Sequence, residues 1–220
     1  MFGSIGLAAF LKVVLYVNAA LAVALASDLF GLVPAMPFLS QVSVSVIAVS
    51  ALVFFVGETV VFPWLCNLPA VWRVFPNIDA EYTVDISSNW SIIEARNAGR
   101  QPDTSPDDGP VLFDRVGKAK ISARLTRIDM TLAMDDRYLS SETLTCSLQR
   151  HRGERKPVLF YVYDSHVSAP KSTDSQRHLG AARLSIPLER CPKVLEGNYW
   201  TDRNWHQGFN TAGHIRLTRI

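Results

Sequence analysis

The sequence is poor in the residues and spacings that carry covalent chemistry. Its 220 residues contain no H-E-x-x-H, no G-x-S-x-G and no Gly-rich phosphate loop, which leaves metallohydrolase, serine-hydrolase and nucleotide-hydrolase readings without footing. Cysteine is scarce. Cys66, Cys146 and Cys191 are an odd number with no C-x-x-C spacing, which supports neither a disulfide framework nor a zinc site. His151, His166, His178, His206 and His214 have no ligand-like spacing to one another. Asp107-Asp108 and Asp135-Asp136 read as turn residues rather than a catalytic pair. No enzyme, no metal and no cofactor is therefore expected.

Positive charge is almost missing from the first third. Lys12 is alone before Arg73, and the other 21 Lys and Arg follow. What fills this third is apolar. Val42–Val61 is a run of the ~20 residues that a membrane-crossing helix needs, with one charge, Glu58. Ile5–Ala26 is a second such run with Lys12 and Asn18; Ala24-Leu25-Ala26 inside it also fits a signal-peptide cleavage pattern. The expectation is a two-helix membrane hairpin over 1–63, a juxtamembrane linker over 64–77 and a further domain over 78–220. The loop Ser27–Gln41 has Asp28 and no basic residue, so the positive-inside preference places both termini and the C-terminal domain in the cytoplasm of a multi-pass inner-membrane protein. Trp64 and Trp72 before Arg73 fit an interfacial belt. Small residues at Ser43, Ser45, Ala48 and Ser50 suit close helix contacts, and Glu58 is the ionisable candidate for membrane assembly.

After Arg73 the period is two. Ala80, Tyr82, Val84 and Ile86 alternate as a half-buried strand, and Trp90–Ala95 reads as its returning partner. Asn97–Pro110, rich in Gly, Pro, Asp and Ser, reads as a loop. Lys118–Met134 reads as one long strand whose apolar face switches midway, as at a β-bulge. Ser141–Leu148, Pro157–Asp164, Leu179–Ile186, Leu195–Asp202 and Thr211–Arg219 follow. About eight sequential antiparallel strands commonly close into an up-and-down barrel, here a small lipocalin-like one. With 21 basic and 18 acidic residues from Arg73 onward, the region is mildly basic. That suits a small anionic ligand and is too weak to argue for duplex nucleic acid.

Alternation puts Gly197, Tyr199, Thr201 and Arg203 on one face of a strand. Tyr161 and Tyr163 form a second set, and Ser141, Thr143 and Thr145 a third, with Trp90 and His178 as further candidates. Aromatic faces stack bases, Arg forks onto phosphate, and hydroxyls read polar edges. The set suits a small nucleotide, although composition alone leaves a lipid or fatty-acid carrier open, and a protein-binding envelope anchor beside it.

Several motifs together resemble the transmembrane effectors of CBASS antiphage defence, in the SMODS-associating family with two transmembrane segments and a β-strand-rich domain. They are Tyr82 with Ser88-Asn89-Trp90, Leu159-x-Tyr161-x-Tyr163, His178-x-Gly180-x-Ala182, and the closing Leu195-x-Gly197-x-Tyr199-x-Thr201-x-Arg203 with Thr211-x-Gly213. The last is the most specific. Ala80 departs from the glycine expected there. The resemblance implies a minimal β-barrel that senses a cyclic di- or trinucleotide made by a partner CD-NTase-type nucleotidyltransferase. It further implies ligand-driven self-association in the membrane lipid, membrane disruption and death of the infected cell.

Overall fold

The computed structural model describes residues 15–20, 38–105, 109–134, 139–150 and 156–220. Its strands are β1 (Ala80–Ser88), a two-residue pair β2 (Thr104–Ser105) and β3 (Gly109–Pro110), then β4 (Phe113–Ala123), β5 (Ile128–Met134), β6 (Leu139–Gln149), β7 (Val158–Val167), β8 (Arg177–Ser185), β9 (Val194–Thr201) and β10 (Ala212–Arg219). The eight long strands close a barrel in the order β1-β10-β9-β8-β7-β6-β5-β4, every pair described being antiparallel. β1 pairs with both β10 and β4, which leaves no open edge.

Alternation builds the interior. On β5, Ile128, Met130, Leu132 and Met134 point in and their neighbours out. Tyr82, Val84, Ile121, Leu148, Leu159, Leu184, Leu195 and Leu217 complete a core in which each is at most 1% exposed. Fully burying a side chain of this size contributes roughly 1.5–3 kcal/mol.

Two strand expectations are corrected. The run Lys118–Met134 is two strands, not one bent strand. Arg124 N–H donates to the Arg127 carbonyl at 2.8 Å and closes a tight turn. The apparent change of face is the chain reversing, so Ile121 and Met130 are paired and both face inward. A register shift does occur, in β6 between Thr143 and Thr145. Trp90–Asn97 is a helix (α4 below) and not a strand. Trp90, Ile92, Ile93 and Ala95 satisfy either period over so short a span.

The helices are α1 (Phe38–Glu58), α2 (Val61–Leu65), α3 (Pro69–Trp72) and α4 (Trp90–Asn97). The membrane expectation is corrected here. Most of the first apolar run, Ile5–Ala26, and most of the loop 27–41 lie outside the described residues. The second run does not continue to Val61 as a span. Helix α1 stops at Glu58, whose carboxylate accepts from the Thr126 N–H (3.0 Å) and hydroxyl (2.7 Å), while Gly57 O accepts from Leu125 N–H at 2.9 Å. Phe62 is then buried in the barrel's own core. Among the described residues no helix is long and apolar enough to cross a membrane. The two-transmembrane-helix fold class and the multi-pass inner-membrane placement are accordingly set aside.

The segment from Val61 to Asn77 closes one end of the barrel. Phe62 and Phe75 meet edge to face at 5.9 Å and join Cys66 and Ile78 in the core. Asn77, only 8% exposed, donates through Nδ2 to Pro63 O and to Asn67 Oδ1, both at 3.1 Å, and accepts from Asp79 N–H through Oδ1. Arg219 donates to the carbonyls of Asn77 and Asp79. A buried polar side chain is tolerated only when its bonds are made, and here they fasten plug to barrel. The β4–β5 turn that seats α1 is at this same end. The opposite end, where β1 finishes and β10 begins, stays open.

Candidate functional site

The open end leads into a cavity of about 290 Å³. Its floor is aromatic and its walls are hydroxyls. Tyr161 and Tyr163 leave β7 on successive inward positions, with ring centroids 5.4 Å apart. Gly180, paired with Tyr163 across β7–β8, makes room for this ring: a Cβ there would collide with the phenol carbons and oxygen. Tyr199 enters from β9, and its phenol reaches the hydroxyls of Ser88 and Thr211. Thr201 and Thr211 hydroxyls sit 2.9 Å apart. Ser141 and Ser165, paired across β6–β7, add two more.

The rim carries the charge. Arg115 from β4, Arg203 after β9, and Lys171 and Asp174 from the β7–β8 connection all line the cavity. Arg203 lies over the Trp90 ring, 4.4 Å from its centroid, a cation–π contact. Its Nη2 is ion-paired to Asp174, whose side chain is only 5% exposed. Lys171 N–H donates to the other Asp174 oxygen at 3.0 Å, and Asn204 Nδ2 donates to Thr173 O at 3.0 Å. The connection Ser168–Gln176 is thus a strap tied across the mouth. Burial, and then the nearby Arg115 charge, hold the Arg203 guanidinium below its ordinary pKa.

Most sequence-derived candidates converge. Trp90, Ser141, Tyr161, Tyr163, His178, Tyr199, Thr201 and Arg203 all line the cavity. Thr143 does not. At the β6 irregularity its hydroxyl bonds Met130 N–H and Met130 O (3.0 and 2.9 Å), replacing ladder bonds that β5 and β6 lose there. Thr145 faces outward. On α1, Ser45 is fully buried while Ser43, Ala48 and Ser50 are exposed, so the small residues do not form one buried seam. Glu58 is engaged by the β4–β5 turn as described. Asp107-Asp108, Asp135-Asp136 and His151 lie outside the described residues.

Arg115, Lys171 and Asp174 were not anticipated. Arg115 sits in the first half of β4, where exposed Phe113 and Val116 blur the alternation. Lys171 and Asp174 occupy an aperiodic connection whose partners are distant in sequence.

Burial raises the phenols of Tyr161, Tyr163 and Tyr199 above their ordinary pKa, so they remain hydrogen-bonding neutral groups at physiological pH. Burial also pushes the Cys66 and Cys146 thiols up to about 12, from a reference value of 9.0. Both are held protonated by the fold while the unfolded chain ionises first. Their contribution is therefore intact below about pH 9 and is lost as the pH rises towards 12. The melting temperature should fall steadily from pH 9 to 11, and Cys66→Ala should flatten part of that fall. A profile level over this range would contradict the assignment.

The chain is thus a small closed up-and-down barrel open at one end, with an aromatic floor and a charged rim; an eight-stranded interior is either filled by side chains or wide enough for one small ligand. No family model matches the chain. Over 61 residues, 28% of the chain, it is 36% identical to CD-NTase-associated protein 15 of Escherichia albertii. The match spans about a third of that protein's length (31%).

Proposed function

We propose that this protein is an effector of CBASS antiphage defence, and that its barrel is a non-enzymatic sensor for a cyclic oligonucleotide made by a CD-NTase-type partner. The observation that carries the reading is the cavity itself. Adjacent tilted phenols, hydroxyl walls and a cationic rim at one open end suit a ligand with flat polar rings and an anionic backbone. A fatty-acid tail would use neither the hydroxyls of Ser141 and Ser165 nor the paired phenols, whereas a ligand with polar rings can bond to them. Similarity to a CD-NTase-associated protein over part of the chain supports the partner. Ligand-promoted self-association fits the exposed apolar side chains of α1, among them Ile47, Leu52, Phe54 and Phe55.

The test is thermal unfolding of the full chain with cyclic di- and trinucleotides. A ligand at a hundred times its Kd stabilises the folded state by ~2.7 kcal/mol, which raises Tm by roughly 5–10 °C for a chain of this size. A rise with at least one such nucleotide is expected. No rise with any of them, together with a rise on adding a long-chain fatty acid, would overturn the reading in favour of a carrier.

A further inference from the structure

Four buried side-chain atoms among the described residues have no hydrogen-bond partner, and three of them cluster at the strap. They are Oγ of Ser175, Nδ1 of His178 and Nε of Arg203. His178 and Arg203 both line the cavity, and His178 is only 7% exposed. A native fold rarely leaves such atoms bare, because a buried polar group without a bond keeps its full desolvation penalty. Three such atoms lie together beside the mouth of the cavity.

The unpartnered atoms of these two cavity-lining residues differ in kind. The His178 imidazole is hydrogen-bonded to the Ser175 backbone. With Nδ1 bare, the bond to the Ser175 carbonyl is donated by Nε2–H, which leaves Nδ1 as the ring's lone-pair acceptor. Burial keeps the ring below its ordinary pKa, against the opposing pull of Asp202 and Asp164. Arg203 Nε–H can only donate. Its charge is already met by Asp174 and its face by Trp90.

We infer that His178 is a specificity-determining residue: its Nδ1 demands a hydrogen-bond donor from the ligand, beside an acceptor demanded by Arg203 Nε. This rests on the nucleotide-sensor reading above. A phosphodiester offers acceptors only and cannot serve Nδ1. The His178 side of the cavity therefore takes a base edge or a sugar hydroxyl, and the phosphates lie towards Arg115. The serine and threonine hydroxyls can rotate to donate or accept, whereas His178, fixed by Ser175, cannot. Discrimination thus concentrates at this one ring.

Calorimetric titration of the full chain with cyclic di-AMP, cyclic di-GMP, cyclic di-UMP, cyclic tri-AMP and cyclic AMP-AMP-GMP tests the inference, using wild type, His178→Phe and His178→Gln. Phe keeps a ring and removes the acceptor; Gln restores an acceptor oxygen. Melting curves confirm that each variant is folded. For the probe that wild type binds most tightly, His178→Phe should weaken binding roughly tenfold or more, from one unpaired buried donor. His178→Gln should stay within about threefold of wild type, because the acceptor is kept. Equal binding by wild type and His178→Phe, or equal losses in both variants, would overturn the role of Nδ1 and leave the sensor reading standing. No binding of any probe by wild type would remove the sensor reading and the subsite together.

Discussion

Gly197→Ala should be among the most damaging single-methyl changes in the chain. Gly197 sits on β9 opposite Leu184 of β8. A Cβ there would overlap the Arg183 carbonyl oxygen outright and come within 2.9 Å of its carbonyl carbon and 3.1 Å of Leu184 Cα. All three obstacles are backbone, so no rotamer change relieves them. The ladder between β8 and β9 must open instead. Ordinary overpacking of a core costs ~1–3 kcal/mol, and a clash with a hydrogen-bonded strand belongs at or beyond the top of that range. A loss of ~3 kcal/mol lowers Tm by roughly 6–12 °C at this size. Thermal unfolding of the variant is the check, with a fall under 2 °C as the contrary result. Gly180→Ala offers an informative comparison. There the obstacle is the Tyr163 ring, a side chain that can swing into the cavity, so binding should suffer more than stability.

Arg203→Ala should injure both stability and binding. Its side chain is 17% exposed and that of Asp174 only 5%, so truncation takes the Arg203 cation away from a buried carboxylate. Breaking such a pair from one side typically costs ~3–5 kcal/mol. The Lys171 N–H remains on Asp174, which places the expectation near ~3 kcal/mol. Binding of a cyclic dinucleotide should fall about ten- to a hundredfold through loss of the Nε donor and of the strap's seat. The double variant Arg203→Ala, Asp174→Ala separates the two effects. Removing both partners removes the buried carboxylate together with its cation, so most stability should return while binding does not. Recovery of both would assign Arg203 a purely structural role. An unchanged Tm in Arg203→Ala would show that the pair contributes nothing.

The alternation of Tyr82, Val84 and Ile86, of Tyr161 and Tyr163, and of Tyr199 and Thr201 was legible in the sequence because a strand repeats every two residues whatever lies beside it. The expected count of eight coincides with the barrel only because Trp90–Ala95, read as a strand, is helix α4, while Lys118–Met134, read as one strand, falls in both β4 and β5. What the period disclosed is the inward face that becomes the cavity floor. It left three things undecided. The turn Arg124–Arg127 looked like a change of face, since a chain reversal and a bulge shift parity alike. Trp90–Ala95 satisfied both periods, and its helix was chosen by its place between β1 and β4 at the barrel mouth. The apolar run ending at Val61 looked like one membrane-crossing helix, yet Glu58 and Phe62 are committed to the barrel, a contact invisible to local hydropathy. The strap shows the same limit most sharply. Asp174 and Arg203 are 29 residues apart, and Trp90 is further still. Nothing periodic links them, and only closure of the barrel, which brings β1, β8 and β9 to one rim, makes them a site.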